Sequence, residues 1–95
     1  MLEEPDAPES YSLAQNYPNP FNPVTTIHYE LPKAGHVTLR VYNLLGEEVA
    51  TLVKGEKQAG RYSVTFDGSR LASGEYIVRM QSGNYSKTIK ILLMK

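Results

Sequence analysis

The sequence predicts an all-β fold, an antiparallel β-sandwich of about seven strands. Three observations lead there. Apolar side chains alternate with polar ones over short runs at five or more places along the chain. The gaps between those runs hold turn residues such as "PKAG", "NLLG", "DGSRLASG" and "SGN". No stretch has apolar residues at helical spacing for more than one turn. Period-two alternation over four to eight residues marks a strand with one buried face, and regular turns between such strands mark a sandwich.

Residues 1–10, "MLEEPDAPES", hold acids and prolines with few apolar side chains and read as a solvated linker, with the folded unit beginning at residue 11. "YSLAQ" (11–15) is a candidate first strand. "NYPNPFNP" (16–23) follows, with three prolines and three asparagines around Tyr17 and Phe21. Proline fixes φ and removes a donor, so this segment is an extended bend that pairs poorly. Its two aromatics are expected to plug the end of the sandwich.

"TTIHYEL" puts Ile27, Tyr29 and Leu31 on one face, and "HVTLRVY" does so with Val37, Leu39 and Val41. "EVATLV" (48–53) has two competing faces, Val49 and Val53 against Ala50 and Leu52, and reads as a short edge strand. "RYSVTF" offers Tyr62, Val64 and Phe66, and "EYIVRM" offers Tyr76, Val78 and Met80. Gly83–Asn84 has the composition of a two-residue hairpin, because both residues tolerate positive φ. "SKTIKILLMK" closes the chain with Ile89, Ile91 and Leu93 inward and Lys90 outward.

The chain has 95 residues, enough for one domain with a thin core. It has no cysteine, so no disulfide and no thiolate chemistry. Ten basic residues balance ten acidic ones, which argues against an electrostatic grip on nucleic acid. No apolar run approaches the ~20 residues of a membrane-spanning helix, and the acidic start lacks the apolar core of a signal peptide.

Catalytic candidates are absent from the pattern. His28 and His36 lack a third ligand at metal spacing and read as surface residues. Asp67 opens the turn "DGS" and is one acid where a hard cation needs several. Glu47–Glu48 reads as a solvated pair. Of seven tyrosines, Tyr29, Tyr62 and Tyr76 fall on inward faces, which leaves Tyr42 and Tyr85 for stacking on a sugar or a base. "NYS" at Asn84 matches a glycosylation acceptor inside a tight hairpin. These residues name no catalytic centre, no metal site and no cofactor. They describe a small binding or structural sandwich with no small-molecule substrate.

The ordered set of motifs carries more. "LAQNYPNPFNPVTTIHYELPKAGHVTLRVYNLLGEEVATLV" is followed by "AGRYSVTFDGSRLASGEYIVRM" and a lysine-bearing terminal strand, "KTIKILLMK". This order resembles the C-terminal sorting domains of the type IX secretion system of Bacteroidetes, and it is similar to the immunoglobulin-like domain of flagellar hook-capping proteins. The resemblance runs from about Leu13 to Lys95. It implies an immunoglobulin-like sandwich that is a non-catalytic address rather than an enzyme. The family's proline–asparagine motif falls on Tyr17, Pro18, Asn19, Pro20 and Phe21. Its glycine landmarks fall on Gly46, Gly60 and Gly74, the last paired with Tyr76. Its terminal strand brings Lys87, Lys90 and Lys95. The partners implied are the outer-membrane translocon, a sortase that removes the domain as the cargo is attached to the surface, and the covalently linked cargo itself. The implied route runs through the periplasm to the cell surface or the medium. The alternatives are a hook-cap-like interaction module and a carbohydrate-binding accessory domain.

Overall fold

A computed structural model describes residues 8–95, and in it seven strands form two antiparallel sheets without a helix among the described residues. The strands are β1 (Ser12–Leu13), β2 (Val24–Leu31), β3 (Gly35–Tyr42), β4 (Glu48–Lys57), β5 (Gly60–Asp67), β6 (Gly74–Ser82) and β7 (Tyr85–Leu93). One sheet has the order β1-β2-β5 and the other β4-β3-β6-β7. The alternation read from the sequence sets the inward faces. Ile27, Tyr29 and Leu31 of β2, Val37, Leu39 and Val41 of β3, Tyr76, Val78 and Met80 of β6, and Ile89, Ile91 and Leu93 of β7 meet in one buried cluster. This is the expected sandwich, with the core between its sheets.

The segment expected as a linker lies largely outside the described residues. Of its last three positions, Pro8 is buried while Glu9 and Ser10 are exposed.

β4 is an edge strand, as its mixed pattern suggests, but it is longer than 48–53. Its two competing faces have a simple cause. The register against β3 slips twice, between Leu39 and Arg40 and between Val41 and Tyr42. Leu52 and Val49 are thereby left without partners in the ladder. Each extra residue reverses which side chains point inward, so Val49, Ala50, Leu52 and Val53 all end partly buried against the core. Val64, expected in the core, is only partly buried. It sits on β5, the outer strand of the three-stranded sheet, where one flank lacks a neighbour. The β6–β7 hairpin is the two-residue loop expected, with Ser82 opposite Tyr85. Only Gly83 takes a positive φ, at 57°, which matches a type II′ turn rather than one needing positive φ at both residues.

Candidate functional site

The proline–asparagine segment does more than deliver the chain into β2. Tyr17 first exchanges backbone hydrogen bonds with Thr26, at 3.0 Å each way. The chain then swings to the far sheet and lies along the outer edge of β7. There Phe21 N–H donates to Leu92 O at 2.9 Å, and Met94 N–H donates to Phe21 O at 2.9 Å. Asn19 Oδ1 accepts the Leu92 N–H at 3.0 Å, and Gln15 Nε2 donates to Lys90 O at 2.7 Å. An exposed strand edge is a row of unpaired donors and acceptors. Residues 15–21 occupy that row at Lys90–Met94, using side chains where proline cannot donate.

Inside the bend the polar atoms are matched. Asn16 is buried, and its Nδ2 donates to Pro18 O at 3.1 Å and to Thr25 Oγ1 at 3.0 Å. Thr25 Oγ1, also buried, donates to Pro18 O at 2.7 Å. Among the described residues no buried side-chain nitrogen or oxygen lacks a partner. The aromatics divide. Phe21 is 1% exposed and packs against Phe66 with ring centroids 5.9 Å apart. Tyr17, expected to plug the sandwich with it, is 79% exposed. The reason is geometric: Tyr17 pairs with Thr26 on β2, whose side chains alternate, and buried Thr25 and Ile27 leave position 17 on the outer side. Gly68 completes the Phe21 pocket. A Cβ there would stand 3.1 Å from Leu93 Cδ2 and 3.4 Å from the Phe21 ring, so a side chain at this position would crowd both.

The two glycine–tyrosine motifs share one device. Tyr62 Oη donates to Gln58 O and Tyr76 Oη donates to Ala72 O, both at 2.6 Å and both to the carbonyl four residues upstream. Gly60 and Gly74 lie inside these loops, at the first positions of β5 and β6. Each tyrosine thus ties the turn before its strand to the strand itself, the arrangement of a tyrosine corner. Tyr76 is buried, while Tyr62 is partly buried and stacks on Tyr29 at 5.2 Å. Burial, and secondarily Tyr62, raises the Tyr29 phenol above its ordinary range. Tyr85 is likewise raised by burial. It is not free for stacking, because Tyr11 already covers one face at 4.9 Å.

Gly46 has φ 86° and closes the turn between β3 and β4. Asn43 pins this turn: its Oδ1 accepts the N–H of Leu45 and of Glu47, at 2.9 and 3.0 Å, and its Nδ2 donates to Glu47 Oε1 at 2.7 Å. Leu44 and Leu45 are presented to solvent at the tip, 63% and 85% exposed. The three lysines diverge. Lys87 and Lys90 are exposed on β7, whereas Lys95 Nζ donates to Ser69 O at 2.7 Å and its N–H to Ser73 Oγ at 3.0 Å. Asp67 Oδ1 accepts the Ser69 N–H at 2.9 Å, a turn-closing role, and that bond leads the causes holding its carboxyl below the usual range. His28 and His36 are exposed, and no group of three or more potential metal-ligating side chains exists among the described residues.

The motif residues therefore build a closed sandwich whose first loop and last strand are one unit. Against this geometry, the family model of the secretion system C-terminal sorting domain matches residues 15–94. The chain belongs to this family. Its match begins at Gln15 and ends at Met94, the two ends of the hydrogen-bonded seam along β7. Domains of the family are sorting signals of the type IX secretion system, which send the proteins that carry them to the cell surface or the medium. The family is non-catalytic. No curated protein matches the chain.

Residues 15–21 and β7 were legible as motifs, but the seam between them was not. Asn16 and Thr25 gave no motif signal beyond the general rule that asparagine satisfies turn backbones. Leu44 and Leu45 gave a signal that could have been used: two leucines at the tip of a turn, where polar residues are the rule.

Proposed function

We propose that this domain is read in its folded form by the outer-membrane translocon after periplasmic transit, with cargo attached at its N-terminal side. A sortase then severs it ahead of residue 11. The observation that carries this reading is the seam, in which residues 15–21 are hydrogen-bonded to residues 90–94. The two segments that mark the family are far apart in sequence, and they form one surface only when the sandwich has closed. A signal of that kind reports completion of the fold, whereas a linear tail does not. A balanced charge and the lack of cysteine fit a module that folds in the periplasm without oxidation.

The test fuses residues 1–95 behind a periplasm-exported reporter in a type IX-competent host. The reporter is expected at the cell surface or in the medium, and cleaved within residues 1–10. A reporter that remains in the periplasm with a folded tail overturns the reading.

A further inference from the structure

The outer face of the four-stranded sheet carries a groove that meets the seam at Lys90, whose backbone carbonyl belongs to the seam. It is open, about 560 Å³, and its lining includes Tyr42, Leu44, Ile77, Arg79, Thr88 and Lys90. Tyr42, Ile77 and Leu44 are its large apolar lining residues, while Arg79 on β6 and Lys90 on the neighbouring β7 bring two cations to it. Among the described residues, none that lines it is acidic. Neither Arg79 nor Lys90 has an ion-pair partner among the described residues. The acids around them are engaged or displaced. Glu48 pairs with Arg40 at 3.6 Å and accepts from the Thr51 hydroxyl. Glu47 is held by Asn43. Glu75 lies opposite Leu92, outside the lining.

The lining is also held in place. Arg40 faces Arg79 and Tyr42 faces Ile77 across β3 and β6, and Ile77 faces Lys90 across β6 and β7. The turn bearing Leu44 is fixed by the three hydrogen bonds that the Asn43 side chain makes, two accepted and one donated. A pre-formed concave apolar site with convergent charge of one sign favours a ligand with a matching side chain and opposite charge.

We propose that this groove docks an acidic segment of a protein partner in the export machinery, with one aliphatic or aromatic side chain seated between Leu44 and Ile77 and carboxylates against Arg79 and Lys90. The inference rests on the sorting reading above and assigns it a contact surface. A membrane fits the site less well. The site is concave and, among the described residues, holds two cations without an ion-pair partner, whereas binding to an anionic bilayer draws on larger basic clusters.

The experiment compares reporter fusions carrying the whole chain. The double variant Arg79→Glu/Lys90→Glu reverses the groove charge. Lys33→Glu/Lys54→Glu makes the same net change away from it. With melting curves superimposed on that of the unsubstituted domain, the groove variant is expected to lower export about tenfold, and the control to leave it unchanged. The same loss is expected for Leu44→Ser, which removes an exposed side chain without touching the core. A photo-crosslinking residue at position 88 is expected to label an acidic segment of an envelope protein, mapped by mass spectrometry. Full export of the groove variant alongside the unsubstituted fusion overturns the groove and leaves the sorting reading standing. Failure of the unsubstituted fusion itself overturns the sorting reading first. Equal losses in both double variants overturn the groove as a specific surface. Binding of the purified chain to phosphatidylglycerol vesicles, lost on Arg79→Glu/Lys90→Glu and with no protein crosslink, overturns the protein occupant in favour of lipid.

Discussion

Phe21→Ala separates the structural part of the proline–asparagine motif from the rest. Phe21 is 1% exposed, contacts Phe66 at 5.9 Å between ring centroids, and lies against the Gly68 backbone where no Cβ would fit comfortably. Its backbone bonds to Leu92 and Met94 survive the substitution, so the loss is one of packing alone. Truncating a buried phenylalanine costs about 3–5 kcal/mol, transfer and cavity together. The pocket cannot collapse easily, because its walls are a strand end, a glycine turn and a second ring. A domain of this length is stable by about 5–10 kcal/mol at ~0.1 kcal/mol per residue. The variant thus loses about half its stability, and at ~5 °C per kcal/mol its midpoint falls by roughly 15–25 °C. Thermal and urea unfolding of the purified chain measure this. Tyr17→Ala is the internal control: at 79% exposure it is expected to stay within about 0.5 kcal/mol of the unsubstituted chain. A Phe21→Ala midpoint within a few degrees, or a Tyr17→Ala loss as large as that of Phe21→Ala, refutes the assignment of roles within the motif.

Three further outcomes follow from the same loop and from the turn after β5. Asn16→Ala removes two donations from a buried residue, to Pro18 O and Thr25 Oγ1, and is expected to cost about 2 kcal/mol in urea unfolding. Asn16→Asp keeps the shape but sets an acceptor against Pro18 O, and is expected to cost more than the alanine at neutral pH; equal or smaller cost refutes the donor assignment. The Asp67 carboxyl is held below its ordinary value chiefly by the Ser69 N–H. Its contribution is therefore present above the unfolded value of about 4 and is lost as pH falls through the lower folded value. Asp67→Asn is expected to flatten stability against pH in that acid window and nowhere above it, read from unfolding midpoints across the acid range.

Much of this protein is local, and what is local could be read from the chain. Alternation in "TTIHYEL", "HVTLRVY" and "EYIVRM" named Ile27, Leu39 and Val78 as core because the strand period is a property of the backbone and a sandwich has one interior. Turn chemistry placed Gly46 and Gly83 for the same reason, since positive φ selects glycine wherever it occurs. The ordered motifs also marked the sorting family before any contact was known. Partner choice was decided elsewhere. Tyr17 and Phe21 are four residues apart with similar rings, but pairing with Thr26 on β2 turns Tyr17 outward while docking on β7 buries Phe21. The bulges that blur β4 depend on its register against β3, a relation between two strands that neither sequence contains alone. The cations of the groove behave likewise. Arg40, Arg79 and Lys90 look alike along the chain. Folding sets Arg40 beside Glu48 and leaves Arg79 and Lys90, among the described residues, without an ion-pair partner, because pairing is fixed by distance in space, and sequence separation does not encode it.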